Sequence, residues 1–311
     1  MAEEVLESSP PVESTWSQIW QLPALLLGVL LLSVWVYTTL AGSAKPLRFQ
    51  DNLDSTQRYL EAGKFDDAKA ELDKMAQYVD RAAPLDVARM HQLAGDLMYL
   101  SQRAKGSSLE ADHKTIDEAY GKATELGLVF DPQHTKWWAS TLVSLGEDKE
   151  ALKKVDSLPT DPASERYGLI RELVLARRKR VGVDPSSVMP LLDRFVSEVR
   201  DNEHDRGKRR AEDIWAIDQQ AQLMLDVGNA NGVIDLLHLR LMKLTADGGD
   251  KDLGPLMLRM AQAYQRSANY AQASHFYQQA RRRLLLDDAL NAEVLVGLAQ
   301  IDQVETGDFR Q

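Results

Sequence analysis

The chain has 311 residues, 44% apolar and 27% charged, with no cysteine and a formal net charge of −10. That balance belongs to a folded chain, and it excludes disulfides, thiolate metal sites, Fe–S ligation and cysteine nucleophiles together. The acidity also opposes non-specific nucleic-acid binding, which needs a concentrated positive field to displace counterions from phosphates.

Residues 1–15 carry Glu3, Glu4, Glu7 and Glu13 with Pro10, Pro11 and several serines, a composition too polar to bury a core, so an acidic disordered tail is expected. From Ser14 to Ala44 the only ionisable side chain is Tyr37, and Leu22–Leu40 (LPALLLGVLLLSVWVYTTL) is almost wholly apolar. As a helix this run spans roughly 28 Å, close to the hydrocarbon thickness of a bilayer. The expectation is one transmembrane helix that contacts the lipid bilayer through Leu22–Leu40. Residues 16–44 form the anchor, with Trp16, Trp20, Trp35 and Tyr37 at its interfaces. A cleaved signal peptide is the alternative, since Gly42, Ser43 and Ala44 are small. The segment before the run has no Lys or Arg, however, and the run exceeds a usual signal core. Lys45, Arg48, Arg58 and Lys64 follow it, and the positive-inside bias then puts the large domain in the cytoplasm.

From Phe49 onward apolar residues recur at spacings of three and four and almost nowhere alternate, so residues 45–311 are predicted to be all-α. Within MLRMAQAYQRSANYAQASHFYQQA, large and small apolar residues alternate in function: Met257, Met260, Ala261 and Tyr264, then Tyr270, Ala273, Tyr277 and Ala280. The same register falls on Tyr59, Gly63, Phe65, Ala68, Leu72 and Met75. It recurs on Trp138, Ala139, Leu142, Gly146, Ala151, Val155 and Leu158, and more loosely on Ala221, Met224, Gly228, Val233 and Leu237. Val87–Leu100 with Thr115–Leu126, and Glu165–Arg180 with Ser187–Val199, are helical pairs further from the pattern, the latter joined through Gly182-Val183-Asp184-Pro185. The turn glycines Gly63, Gly146 and Gly228 lie about 80 residues apart, two enlarged units of the roughly 34-residue repeat in each interval.

This pattern resembles the tetratricopeptide repeat (TPR) superfamily. The resemblance implies an α-solenoid of antiparallel helix pairs in which each pair buries one face against the next. It also implies a concave groove lined from the first helix of each pair. The residue after the small position gives Gln57, Gln222 and Gln262 in three repeats, accompanied by Lys136, Arg259 and Arg266. Family members that clamp a peptide carboxylate use Lys with Asn in this groove, and no asparagine stands at the corresponding sites.

Catalytic scaffolds are missing from the sequence. His91, His113, His134, His204, His238 and His275 form no HExxH or other i, i+4 pair, and no GxSxG, phosphate-binding loop or dinucleotide fingerprint occurs. The acidic stretch Asp247–Asp252 (DGGDKD) lacks EF-hand spacing. No enzyme activity, metal or cofactor is therefore expected. The basic clusters Arg177–Arg180, Lys208–Arg210 and Arg281–Arg283 sit near helix ends or among acids and read as solvated faces.

The functional expectation is a membrane-anchored, non-enzymatic scaffold or adaptor that takes a protein or peptide partner in its groove, with no nucleic acid. The TPR resemblance implies a bacterial role in envelope assembly or export, with the domain outside the cytoplasm, against the charge bias. The alternative is the scaffolding or regulatory part of a larger enzyme. The final VETGDFRQ places Gly307-Asp308-Phe309 where GKF stands at Gly63–Phe65, so the last repeat reads as incomplete, with self-association through its uncapped end a further option.

Overall fold

The computed structural model describes residues 21–180, 184–284 and 288–306. The acidic tail, Trp16, Trp20, Gly182, Val183 and the Gly307–Phe309 turn lie outside the described residues. The elements are α1 (Gln21–Glu61), α2 (Phe65–Ala76), α3 (Pro84–Lys105), α4 (Glu110–Glu125), α5 (Pro132–Leu145), α6 (Asp148–Ser157), α7 (Ala163–Lys179), α8 (Met189–Asn202), α9 (Arg206–Asp226), α10 (Ala230–Gly248), α11 (Gly254–Arg266), α12 (Tyr270–Arg283) and α13 (Asp288–Thr306), with short 3-10 turns at Val79–Arg81 and Pro185–Val188. No strand occurs among the described residues, so the all-α expectation holds.

The chain divides into two compact units, one holding residues up to Ser101 with Gly121–Leu128, the other Gln102–Tyr120 with Val129 onward. In the first unit, the C-terminal part of α1 folds back on α2 and the pair packs with α3. Phe49, Leu53 and Leu60 meet Ala68, Leu72 and Met75, and Met90, Leu93 and Leu97 close the core. The α2 register follows from Ala68, Leu72 and Met75, three to four residues apart on one face, while Asp66 and Asp67 sit in its first turn where the helix dipole favours acids.

The expected membrane span over Leu22–Leu40 is overturned, and with it the single-pass localisation and the bilayer contact: among the described residues no helix is long and apolar enough to cross a membrane. Its apolar run does not end as a separate rod. It continues without a break in the 41-residue α1, through Lys45, Arg48, Asp51 and Asp54, to Glu61.

The second unit is a succession of helix pairs, α5 with α6, α7 with α8, α9 with α10 and α11 with α12, followed by α13 against both α11 and α12. Close approach within pairs rests on the small residues of the repeat: Ala139, Ala221, Ala261 and Ala273 are fully buried, and Val233 fills the corresponding place in α10, also fully buried. A Cβ of one carbon lets two backbones come near the lower end of helix packing distances, and the large residues beside it fill the remaining space.

Three of these pairs close with one turn, which also closes α1 on α2. At Gly63, Gly146, Gly228 and Ala268 the N–H bonds to the carbonyl three residues back, at 3.0, 3.2, 2.9 and 3.0 Å, and the following N–H bonds five residues back. These are the two hydrogen bonds of a Schellman cap, which needs a left-handed residue at its first position. The φ values are 69°, 86°, 79° and 56°. The α7–α8 connection departs from this design: Asp184 accepts from the Ser186 N–H and Pro185 starts a 3-10 turn, which is why that segment fits the repeat poorly.

Arginines finish the exposed helix ends. Arg180 donates from Nη2 to the Val143 carbonyl at 2.9 Å, and Arg266 donates to the Leu225 carbonyl, so the C-termini of α5 and α9 are each satisfied from the end of the next first helix. Part of each basic cluster is thus engaged within the protein. Arg177 and Arg180 hold Asp148, Arg210 holds Asp252, and Arg283 holds Asp250. The acidic loop Asp247–Asp252 therefore spends two of its carboxylates on arginines.

Two substitutions test this packing. Ala268 is the one L-residue with positive φ among the described residues, at a cost of roughly 1–2 kcal/mol that glycine avoids at some loss of chain entropy. Ala268→Gly should raise the unfolding free energy by about 1 kcal/mol, read as a higher denaturation midpoint at constant slope. At Gly297, in contrast, a Cβ would fall inside the Tyr277 ring. Gly297→Ala should destabilise the protein by about 1–3 kcal/mol by overpacking, measured the same way.

Candidate interaction site

The first helices of the pairs are tied to one another by a row of polar side chains. Lys136 of α5 reaches Glu165 of α7 at 3.4 Å, and Ser140 donates to Glu172 at 3.1 Å. Arg171 of α7 donates to Glu212 of α9 at 3.1 Å, and Arg178 donates to Gln219. The row then tightens around Arg259 of α11, whose side chain is only 6% exposed. Its Nε donates to Asp218 of α9 at 2.8 Å and its Nη1 to Glu293 of α13 at 2.9 Å.

Gln262 supports the same centre, donating from Nε2 to Glu293 at 3.2 Å while its Oε1 accepts from Arg259 at 3.1 Å. Gln222 donates to the free oxygen of Asp218 at 3.0 Å, beside Gln219 at 3.2 Å. A guanidinium buried to this degree requires both carboxylates, because an unpaired charge at such a site costs several kcal/mol. Burial pushes the Asp218 carboxyl above its ordinary range, against the pull of Arg259 and, more weakly, Arg178. Two effects oppose each other at short range, and desolvation is the larger, as the near-complete burial of the carboxylate requires.

Beyond this centre α11, α12 and α13 enclose an open cleft of about 970 Å³. Its polar lining includes Gln262, Gln265, Arg266 and Gln300, and Tyr270 and Val296 add apolar surface. Gln265 bridges the walls: its Nε2 donates to Gln300 at 2.9 Å and its Oε1 accepts from the Tyr277 hydroxyl at 2.6 Å. Burial, then the nearby Glu293, pushes the Tyr277 hydroxyl up to about 12, so it remains a neutral donor. Tyr277 can reach Gln265 because Gly297 leaves α13 without a side chain over the ring.

The expected groove residues are thereby sorted. Gln222, Arg259 and Gln262 come together in one network, with Arg266 close by on the same helix in the cleft. Lys136 stands earlier in the same row, paired with Glu165. Gln57 belongs to the first unit, on α1, where it donates to Glu61 at 3.1 Å. Asp218 and Glu293, the acids on which Arg259 depends, were not singled out from sequence. The available signal was that Asp218 lies one turn before Gln222, on the same face of α9.

The described residues define an all-helical fold of successive helix pairs with a row of polar side chains along its first helices. It is similar to the solved crystal structure of the apo form of RapI, at 8% identity with a TM-score of 0.49, over 83% of this chain and 72% of that one, a likeness too distant to carry argument. No family model matches the chain, and no curated protein matches it.

The Asp218 pair has a pH signature. Because its folded pKa is raised above the unfolded value, the folded state holds this proton more tightly. Its contribution to stability therefore falls as pH rises from about 4 through the raised value. Wild type should lose stability relative to Asp218→Asn across that window, measured by denaturation at a series of pH values; a constant difference would contradict it.

Proposed function

We propose that the chain is a non-enzymatic adaptor that binds an extended segment of a protein partner in the cleft of α11, α12 and α13. The observation that carries this reading is the side-by-side placement of Gln262, Gln265 and Gln300 with Arg266 and the apolar Val296. Primary amides offer both donors and acceptors at a fixed height, which suits the alternating N–H and C=O groups of a peptide backbone. Arg266, already fixed on the Leu225 carbonyl, adds a positive charge for an acidic side chain of the peptide. Tyr270 and Val296 provide contact area in the same cleft. Arg259 acts one step back: its charge is spent on Asp218 and Glu293, so it positions α13 and Gln262.

A displayed library of unstructured peptides, selected on the whole protein, provides the test. Peptides so obtained should lose about tenfold or more in affinity to Gln265→Ala/Gln300→Ala, as expected for two neutral hydrogen bonds of about 1 kcal/mol each. Circular dichroism and the melting transition should show the variant folded. Undiminished binding to that folded variant would place the peptide elsewhere and sink the assignment.

A further inference from the structure

The cleft of α11, α12 and α13 holds its amides in one orientation, and the groups behind them set it. A primary amide can turn either its carbonyl or its NH2 toward a neighbour, and the hydrogen-bond network decides which. Behind Gln262 lies Arg259, whose guanidinium can only donate. The Gln262 Oε1 therefore turns inward to accept from Nη1 at 3.1 Å, and its Nε2 donates to Glu293 at 3.2 Å. Behind Gln265 lies Tyr277, 2% exposed, whose hydroxyl has Gln265 as its only hydrogen-bond partner among the described residues. A buried phenol that accepted from Gln265 would leave its own proton without an acceptor, the costlier arrangement. Burial, and then Glu293, pushes that hydroxyl up to about 12, so it keeps the proton and donates. The Gln265 Oε1 is thereby fixed on the hydroxyl at 2.6 Å, and its Nε2 is left to donate to the Gln300 Oε1 at 2.9 Å.

The relay from Tyr277 through Gln265 ends on Gln300, and it ends on a donor. With its carbonyl held by Gln265, the exposed Gln300 side chain keeps both N–H groups of Nε2 without a partner among the described residues. Gln265 keeps a second N–H. Arg266, the next residue of α11, bonds to the Leu225 carbonyl and makes no ion pair among the described residues, so its charge is uncompensated. It lies close enough to Tyr277 for that charge to act on the hydroxyl. The carboxylate that also lines the cleft, Glu293, stands apart. It is paired with Arg259 at 2.9 Å, and it lies seven residues before Gln300, roughly 10 Å along α13. Gln303, a further amide of the lining, is bonded to no described residue and can turn either way.

Donors of Gln265, Gln300 and Arg266 thus meet at one end of the cleft with an unpaired positive charge. Acceptors there are confined to the second lone pairs of two carbonyls that are already engaged. A carboxylate fits such a place, because it only accepts, at about four lone-pair positions, and its bonds to guanidinium and amide N–H groups are charge-assisted. A carboxamide of the same shape brings an NH2 that meets donors where it needs acceptors.

We propose that this end of the cleft is a subsite for an acidic side chain of the bound peptide, held by Arg266, Gln265 and Gln300, with Tyr277 as the positioning residue that makes it select carboxylate over carboxamide. The proposal rests on peptide binding in that cleft and names the side chain that is read there.

The probes are the capped pentapeptide Ac-Ala-Val-Glu-Val-Ala-NH2 and its glutamine isostere, titrated into the full chain while the side-chain amide signals of Gln265 and Gln300 are followed by NMR. The glutamate peptide should shift both signals and bind about tenfold more tightly than the isostere. Tyr277→Phe keeps the ring beside Gly297 and releases the Gln265 carbonyl, so the ratio should fall to about threefold. A purely structural role would weaken both peptides alike and leave the ratio unchanged, which removes the positioning assignment. Gln300→Glu, at an exposed side chain, should make the isostere the tighter ligand, and circular dichroism verifies the fold of both variants. Equal binding of the two peptides with both signals shifted overturns the subsite and leaves peptide binding in the cleft standing, whereas no shift with either peptide overturns both. Sodium acetate that displaces the glutamate peptide at equal concentration would make this a place for free carboxylates. Tighter binding of the isostere with an uncapped C-terminus would assign it to a chain end. Either result defeats the side-chain assignment.

Discussion

The buried guanidinium of Arg259 is the constraint around which the second unit is arranged. It lies between Asp218 on α9 and Glu293 on α13, so one side chain ties three successive first helices together. A charge this deep is tolerated only with both carboxylates in place, and each carboxylate fixes the height of its own helix along the stack. Apolar packing between helices is non-directional and permits sliding by a turn; a two-sided ion pair does not. The core brings α9, α11 and α13 together, and Arg259 selects their register.

Upstream, the same task is distributed over weaker and more exposed contacts. Lys136 with Glu165 and Arg171 with Glu212 are partly solvated, and pairs of that kind contribute little to stability. The arginines at the helix ends matter in another way. Arg180 and Arg266 give the C-terminal carbonyls of α5 and α9 donors that helix geometry withholds. Because each arginine comes from the next first helix, local helix ends and long-range stacking are satisfied by one bond. The clusters Arg177–Arg180 and Arg281–Arg283, read from sequence as solvated faces, are in part consumed by this internal use.

Sequence reasoning reached the helices and turns through signals that are local. Gly63, Gly146 and Gly228 mark left-handed caps because a Cβ is costly there, and Ala139, Ala221 and Ala261 mark close approaches because a larger residue would not fit. Ala268 escaped notice as a fourth cap, since alanine carries no such mark. The apolar N-terminal run was misjudged because hydropathy along a window records which side chains are oily. It does not record that the helix continues without a break to Glu61. At the site, register singled out Gln222, Arg259 and Gln262, and the structure joins them in one polar network. That Arg259 is buried between two acids was not legible, because Asp218 and Glu293 lie far away in sequence and pair with it only once three helices are stacked.

The network also sets where polar groups stay accessible to solvent. Along α5, α7 and α9 the inward polar groups have partners on the next first helix, so a ligand there would have to displace protein hydrogen bonds of similar strength. Between α11 and α13 the balance changes. Gly297 removes a side chain and lets the Tyr277 ring press against α13, and the gap beside it stays open, lined by Gln265 and Gln300, which keep further amide groups beyond the bond they share. Each primary amide has four hydrogen-bonding sites; the mutual bond uses one site on each, and the Tyr277 hydroxyl uses a second on Gln265. The fold thus leaves solvent-accessible amide groups beside the point where Arg259 ties α13 to α9.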